Sequence, residues 1–289
     1  MVIQKIGNIR TSMSIMPNAS ELIFIAIATL AGGLIGRILF IIGRFLPSRM
    51  EWSWKQEIIE HTGNGDISPA PVLGSFACGK CKAGIPSIPW IVFSAKCKGG
   101  HAEISGWLMM LATGAVTGWA AYSIGKTGNL WMLAGTLAFA WALILLAMID
   151  METMLLPDDI TLPLLWAGLL FNLNHGFASL PSAVIGAAAG YMALWVVFWV
   201  FKILRGVEGL GYGDFKLLAA IGAWLGWQVL PGVVILSAFV GLAFGVYFML
   251  AKGHKRDQPM PFGPYLAVAG LVAMFCPKQL IAITGMGVL

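Results

Sequence analysis

Apolar residues in this chain run in blocks of membrane-crossing length, and short polar stretches separate the blocks. A transmembrane helix needs about 20 mostly apolar residues. The pattern predicts spans near 22–43, 104–123, 129–149, 160–174, 184–204, 216–229, 232–251 and 262–282, the fourth and sixth being short. One long polar loop, residues 44–103, interrupts the series; it is rich in Gly, Pro, Ser and Lys and carries three of the four cysteines. The chain therefore divides near residue 103, into a first span plus polar loop (1–103) and a bundle of spans with short connections (104–289). Small residues recur within the bundle, as in Gly186-Ala-Ala-Ala-Gly190 and Ala219-Ala-Ile-Gly222-Ala223, and such residues let membrane helices approach closely. The fold class predicted is an all-α, polytopic integral membrane protein of about eight transmembrane helices with one Cys-containing loop domain.

Composition excludes a water-soluble domain, since 58% of residues are hydrophobic and 11% are charged. Basic residues then set the orientation, because loops retained in the cytoplasm carry the positive excess. Arg44, Arg49, Lys55, Lys80, Lys82, Lys96 and Lys98 follow the first span, and alternate threading puts Lys202, Arg205, Lys216, Lys252, Lys255 and Arg256 on the same side. Only Lys5, Arg10, Lys126 and Lys278 fall opposite, with Arg37 inside the first span. The N-terminus is thus expected outside and the Cys-containing loop in the cytoplasm. A cleavable signal peptide is disfavoured, because apolar sequence continues through Ile42 and the stronger basic cluster lies beyond it. The net charge of +5 calls for no nucleic-acid partner, since basic loops facing anionic lipid account for it.

Two aspartates stand where apolar blocks meet polar loops. Asp150 closes the block that begins at Trp131, and Asp214 closes Gly209-Leu-Gly211-Tyr-Gly213-Asp214. Ionisable groups at such depth are costly and usually functional. Alone, each has a plainer reading, as the end of a span or as a helix cap. As a pair they suggest an aspartic protease, with the glycines before Asp214 allowing close approach of another backbone. The same glycines do not form a dinucleotide loop, because no strand precedes them. Asp158 and Asp159 follow Pro157 and are expected to cap the next helix, with Asp158 the next choice of partner should Asp150 fail. Glu152 and Glu208 are expected in solvated loops. In the polar loop, Cys78, Cys81, Cys97 and His101 read as C-x2-C-x15-C-x3-H, the spacing of a tetrahedral zinc site. Cys276 is expected to be a buried apolar residue.

These residues together resemble the type IV prepilin leader peptidases, also called prepilin peptidase and N-methyltransferase, within the GxGD group of membrane aspartic proteases. The resemblance covers nearly the whole chain. Its most specific parts are Ile149-Asp150-x-x-Thr153-x-Leu155-Leu156-Pro157-Asp158, then Gly211-Tyr-Gly-Asp214-Phe-Lys216-Leu-Leu, and Pro261-Phe-Gly-Pro264-Tyr-Leu-Ala. The departures lie in the first third: Gly36-Arg37-Ile38-Leu39-Phe40 replaces the usual Gly-Ser-Phe-Leu-Asn, and Gly100 stands where a fourth cysteine is expected.

The resemblance implies cleavage of the basic leader from prepilins and pseudopilins on the cytoplasmic side of a bacterial inner membrane, with Asp150 and Asp214 as the catalytic pair. It also implies N-methylation of the new N-terminus from S-adenosylmethionine, associated with residues 1–103. Small residues of the fifth and sixth spans, Gly222 among them, are expected to form a groove for the substrate's apolar helix. Two other readings are a GxGD protease that cuts within transmembrane segments and a catalytically silent pilus-assembly scaffold. Against the first, Ile149-Asp150 and Pro261-Phe-Gly-Pro264 replace the Tyr-Asp and Pro-Ala-Leu of presenilin-like enzymes. Against the second stands the retention of both aspartates. A secondary transporter would show repeated halves, and none is visible.

Overall fold

The structure, a computed structural model, describes residues 18–63, 69–72, 76–77, 84–85, 104–125, 128–206, 210–252 and 260–284. Its helices are α1 (Ala19–Thr62), α2 (Ile104–Ser123), α3 (Leu130–Thr153), α4 (Asp158–Leu173), α5 (Leu180–Arg205), α6 (Tyr212–Leu225), α7 (Leu230–Lys252), α8 (Gly263–Phe275) and α9 (Pro277–Ile283). The described residues also hold a minimal antiparallel ladder, β1 (Phe76–Ala77) with β2 (Gly84–Ile85), which departs from the all-α expectation only within the polar loop.

Every expected apolar block is helical, but among the described residues four helical segments are long and apolar enough to cross a membrane: Ala19–Thr62, Leu130–Thr153, Leu180–Arg205 and Trp227–Ala251. Helices α4, α6 and α8 have 16, 14 and 13 residues, short of a full crossing. The last expected block is cut at Cys276, because Pro277 has no N–H and starts a new helix, α9. Helix α1 is longer than expected, at 44 residues. Pro47 forfeits one backbone hydrogen bond, and Glu51, Lys55, Gln56, Glu57 and Glu60 are good helix formers that carry the helix on. At 1.5 Å per residue α1 extends about 66 Å, roughly twice the hydrocarbon thickness. Arg44, Arg49 and Lys55 therefore lie on a helix, where a loop was expected.

The chain forms two compact units, one of residues 19–122 and one containing 123–289, so α2 belongs with α1. Small residues explain that partnership. A Cβ on Gly32 or Gly36 would collide with Thr117 or Thr113, and one on Gly118 with Thr29. The three threonines donate their hydroxyls to carbonyls of their own helices, at Thr113, Met109 and Ile25 respectively, and so sit in an apolar contact without unmet polar atoms.

In the second unit α6 is the core. Asp214, Phe215 and every residue from Leu217 to Trp224 are buried, as befits a helix apolar on all sides. Gly186 of α5 and Gly222 of α6 meet backbone to backbone, and a Cβ on either would strike the other's carbonyl. Gly190 stands in the same relation to the Leu218 carbonyl. The expected substrate groove on these small residues is thus filled by the protein itself. Helix α4 is tied to the far end of α6 by the Trp224 indole N–H, which donates to the Leu164 carbonyl at 2.8 Å. Buried Asn172 donates to the Ala223 and Trp224 carbonyls at 2.7 and 3.0 Å and accepts from the Ala178 N–H at 3.0 Å. Phe139, Phe171 and Phe177 pack around Trp224.

Candidate active site

Asp150 lies one turn from the C-terminus of α3 and is 5% exposed. The helix stops there because Met154 turns left-handed, with φ 56°, and returns its N–H to the Asp150 carbonyl at 2.8 Å. The Asp150 side chain crosses to the start of α8, where its Oδ2 accepts the Gly263 N–H at 2.9 Å. A helix N-terminus suits a carboxylate, since its first N–H groups have no partner within the helix. A Cβ at 263 would lie 2.7 Å from Asp150 Oδ2, so any larger residue there must displace that carboxylate.

Asp214 sits in the first turn of α6 and is 6% exposed. It is not the cap: Gly211 is, and Asp214 Oδ2 accepts the Gly211 N–H at 3.1 Å while the Asp214 N–H donates to the Gly211 carbonyl at 3.1 Å. Gly213 meets a close neighbour, though from within the protein, since a Cβ there would be 2.6 Å from Leu156 Cβ. Leu156 belongs to the turn that follows the Asp150 helix. Asp158 and Asp159 occupy the first turn of α4 behind the cap residue Pro157, so neither is the cap itself. The Lys216 ammonium engages both Asp158 oxygens, at 2.6 and 2.7 Å.

The turn after α3, the Gly-Tyr-Gly-Asp start of α6 and the Pro-Phe-Gly-Pro start of α8 therefore converge. Asp214 lies ahead of the apolar stretch 216–229, and burial, seconded by the Asp150 charge and opposed by the Gly211 N–H, pushes its carboxyl up to about 7. The Asp150 charge thus reaches Asp214. Gly263 and Lys216 escaped the sequence reading as site residues. Both lie inside motifs already singled out, but a bond between residues 113 positions apart has no local signal. Glu152 is exposed and lies in the last turn of α3, not in the loop expected for it. Glu208, Cys78, Cys81, Cys97 and His101 lie outside the described residues, and among the described residues no cluster of His, Cys, Asp or Glu could hold a metal.

A helical chain with membrane-length apolar segments that buries two carboxylates at helix ends, one of them raised by the other's charge, has the parts of an acid–base pair at a membrane-embedded site. Residues 137–246 match the type IV leader peptidase family. The chain is 41% identical to a prepilin leader peptidase/N-methyltransferase of Aeromonas salmonicida, covering 83% of this chain and 87% of that one. It is 40% identical to one of Pseudomonas aeruginosa, covering 90% and 92%, and 41% identical to one of Burkholderia pseudomallei, covering 90% and 87%. The chain belongs to the type IV leader peptidase family. No solved structure matches it.

Proposed function

We propose that this protein cleaves the basic leader from type IV prepilins and pseudopilins at the cytoplasmic face of the inner membrane, with Asp150 and Asp214 as its dyad, and then N-methylates the new N-terminus. The observation that carries the reading is that two buried aspartates from separate motifs each receive a backbone N–H on Oδ2, at 2.9 and 3.1 Å, and that one senses the other's charge. The relatives' shared name supplies the substrate class.

In the reaction a water sits between the carboxyls, which hold one proton between them. The ionised carboxylate takes a proton from the water as its oxygen bonds to the scissile carbonyl carbon, and the protonated carboxyl donates to the carbonyl oxygen. Collapse of the tetrahedral intermediate breaks the C–N bond; the amine leaves with the proton first taken from water, and a hydroxyl proton of the intermediate returns to the other carboxylate, restoring the shared proton. One backbone N–H on Oδ2 of each aspartate orients the carboxyl and leaves acceptor positions for water and carbonyl. S-adenosylmethionine, when bound, supplies the methyl group to the freed amine.

Eight membrane-embedded segments with the N-terminus periplasmic put both aspartates at the cytoplasmic face on the positive-inside count. The segment that follows α1, residues 63–103, then faces a reducing compartment, where Cys78, Cys81, Cys97 and His101 suit zinc as a Cys3His set. The ladder of Phe76–Ala77 with Gly84–Ile85 supports this reading, because it joins the two ends of the segment holding Cys78 and Cys81. Zinc there would be structural; about one ion per chain that falls on His101→Ala is the expected result, and full retention in Cys78→Ser with Cys81→Ser removes the idea.

The deciding experiment is cleavage of a leader-bearing prepilin by the protein in lipid, with mass spectrometry of the product. Asp150→Asn and Asp214→Asn should each abolish cleavage while exposed Asp159→Asn cleaves normally, and an added methyl group reports the second activity. Normal cleavage by either dyad variant would end the reading.

A further inference from the structure

The dyad's aspartates come from different helices, so something must set their separation. Three ties cross between the motifs: the Gly263 N–H on Asp150, the Leu156 side chain on Gly213, and the Lys216 ammonium on Asp158. The third joins Asp158, two residues past Leu156, to Lys216, three residues past Gly213. Asp158 begins α4 directly after the four-residue turn Met154–Pro157 that leaves the Asp150 helix, and Lys216 stands two residues beyond Asp214.

We propose that Lys216 and Asp158 are positioning residues, whose ion pair fastens the turn after the Asp150 helix onto the first turn of α6 and so fixes the spacing of the two carboxylates. The proposal rests on the peptidase reading above. Side chains at i and i+2 of a helix do not share a face, so Lys216 is directed away from Asp214 and acts through geometry. Its ammonium is already engaged by both Asp158 oxygens. The pair is partly exposed, 26% at Lys216 and 53% at Asp158, and such pairs contribute little to global stability. Placement is another matter, since a shift of about 1 Å at a reacting centre can cost on the order of 100-fold in rate. The pair should therefore matter far more to turnover than to folding.

The test is Asp158→Asn, Lys216→Met and the exchanged pair Asp158→Lys with Lys216→Asp, in the full chain in lipid vesicles, read as kcat, KM, pH profile and Tm. The expected result for each single variant is a kcat lower by about 10- to 100-fold, with KM and the pH profile unmoved and Tm within about 3 °C of the parent. The exchanged pair should recover most of the loss. Parental kcat in either single variant would overturn the proposal, and so would a folded exchanged pair as slow as the singles. A kcat loss that merely tracks a large fall in Tm would overturn it as well. Asp150→Asn and Asp214→Asn run alongside: cleavage by those would sink the peptidase reading itself, a failure distinct from any result at the ion pair.

Discussion

Gly263→Ala is the sharpest perturbation of the site that leaves both aspartates in place. The added methyl would lie 2.7 Å from Asp150 Oδ2, 3.1 Å from its Cγ and 3.3 Å from its Cβ. Ordinary carbon–oxygen contact is about 3.5 Å, so the carboxylate must withdraw by somewhat under 1 Å. That withdrawal stretches the 2.9 Å bond from the Gly263 N–H beyond useful length. A hydrogen bond to a charged group contributes about 1.5–3 kcal/mol, which corresponds to roughly 10- to 150-fold in rate if the bond is needed in the transition state.

Stability should move less, because alanine in a helix is favoured over glycine by about 0.5–1 kcal/mol and partly offsets the lost bond. The assay is single-turnover cleavage of a prepilin in lipid vesicles, with Tm measured on the same preparation. The expected outcome is a rate lower by about 10- to 100-fold in a protein that still folds. Cleavage at the parental rate would show that the start of α8 does not hold Asp150 for catalysis.

Other variants test the packing behind the site. Gly222→Leu drives a side chain into the Gly186 backbone; it should destabilise by about 3 kcal/mol or more, seen as thermal inactivation at a much lower temperature rather than as a selective loss of substrate affinity. Asn172→Leu leaves the Ala223 and Trp224 carbonyls and the Ala178 N–H without their buried partner; about 2–3 kcal/mol of stability should go with it, read from the denaturation midpoint. The pH dependence follows from Asp214, whose carboxyl is raised to about 7. Its proton is held more tightly folded than unfolded, so its stability contribution is full below about 4 and is lost as pH rises through about 7. Cleavage should fall over the same alkaline limb as the dyad loses its shared proton; a rate flat from pH 6 to 9 would contradict one-proton catalysis.

The sequence made the ends of helices legible and their mutual arrangement much less so. Asp150 and Asp214 were visible because each interrupts an apolar block, and a charge there is conspicuous against its surroundings. Asp158 misled for the same reason: behind Pro157 it has the look of a cap, whereas Lys216, 58 positions away, takes it as an ion-pair partner. Gly222 misled because small residues signal close helix approach without saying to what. Its neighbour is Gly186 of the same chain, not a substrate. Helix α1 outran its expected end because Pro47 is a tolerated interruption once good helix formers follow it.

The short helices make sense when the site is considered as a problem of water. Hydrolysis needs water beside the scissile bond, and the hydrocarbon interior holds almost none. A carboxylate midway along a full-length span would be dry, but one at a helix end can be reached from the interface. Asp150 lies in the last turn of α3, Asp214 in the first turn of α6 and Gly263 at the start of α8, so all three parts of the candidate site sit where apolar helices give out. Such ends would fray if left to themselves. Here α6 is encased, held at its far end by Asn172 and Trp224 and along its length by glycine contacts with α5. The buried body of a helix only 14 residues long thus fixes its first turn, and a dyad of Asp150 and Asp214, as proposed, would gain access to its co-reactant without losing alignment.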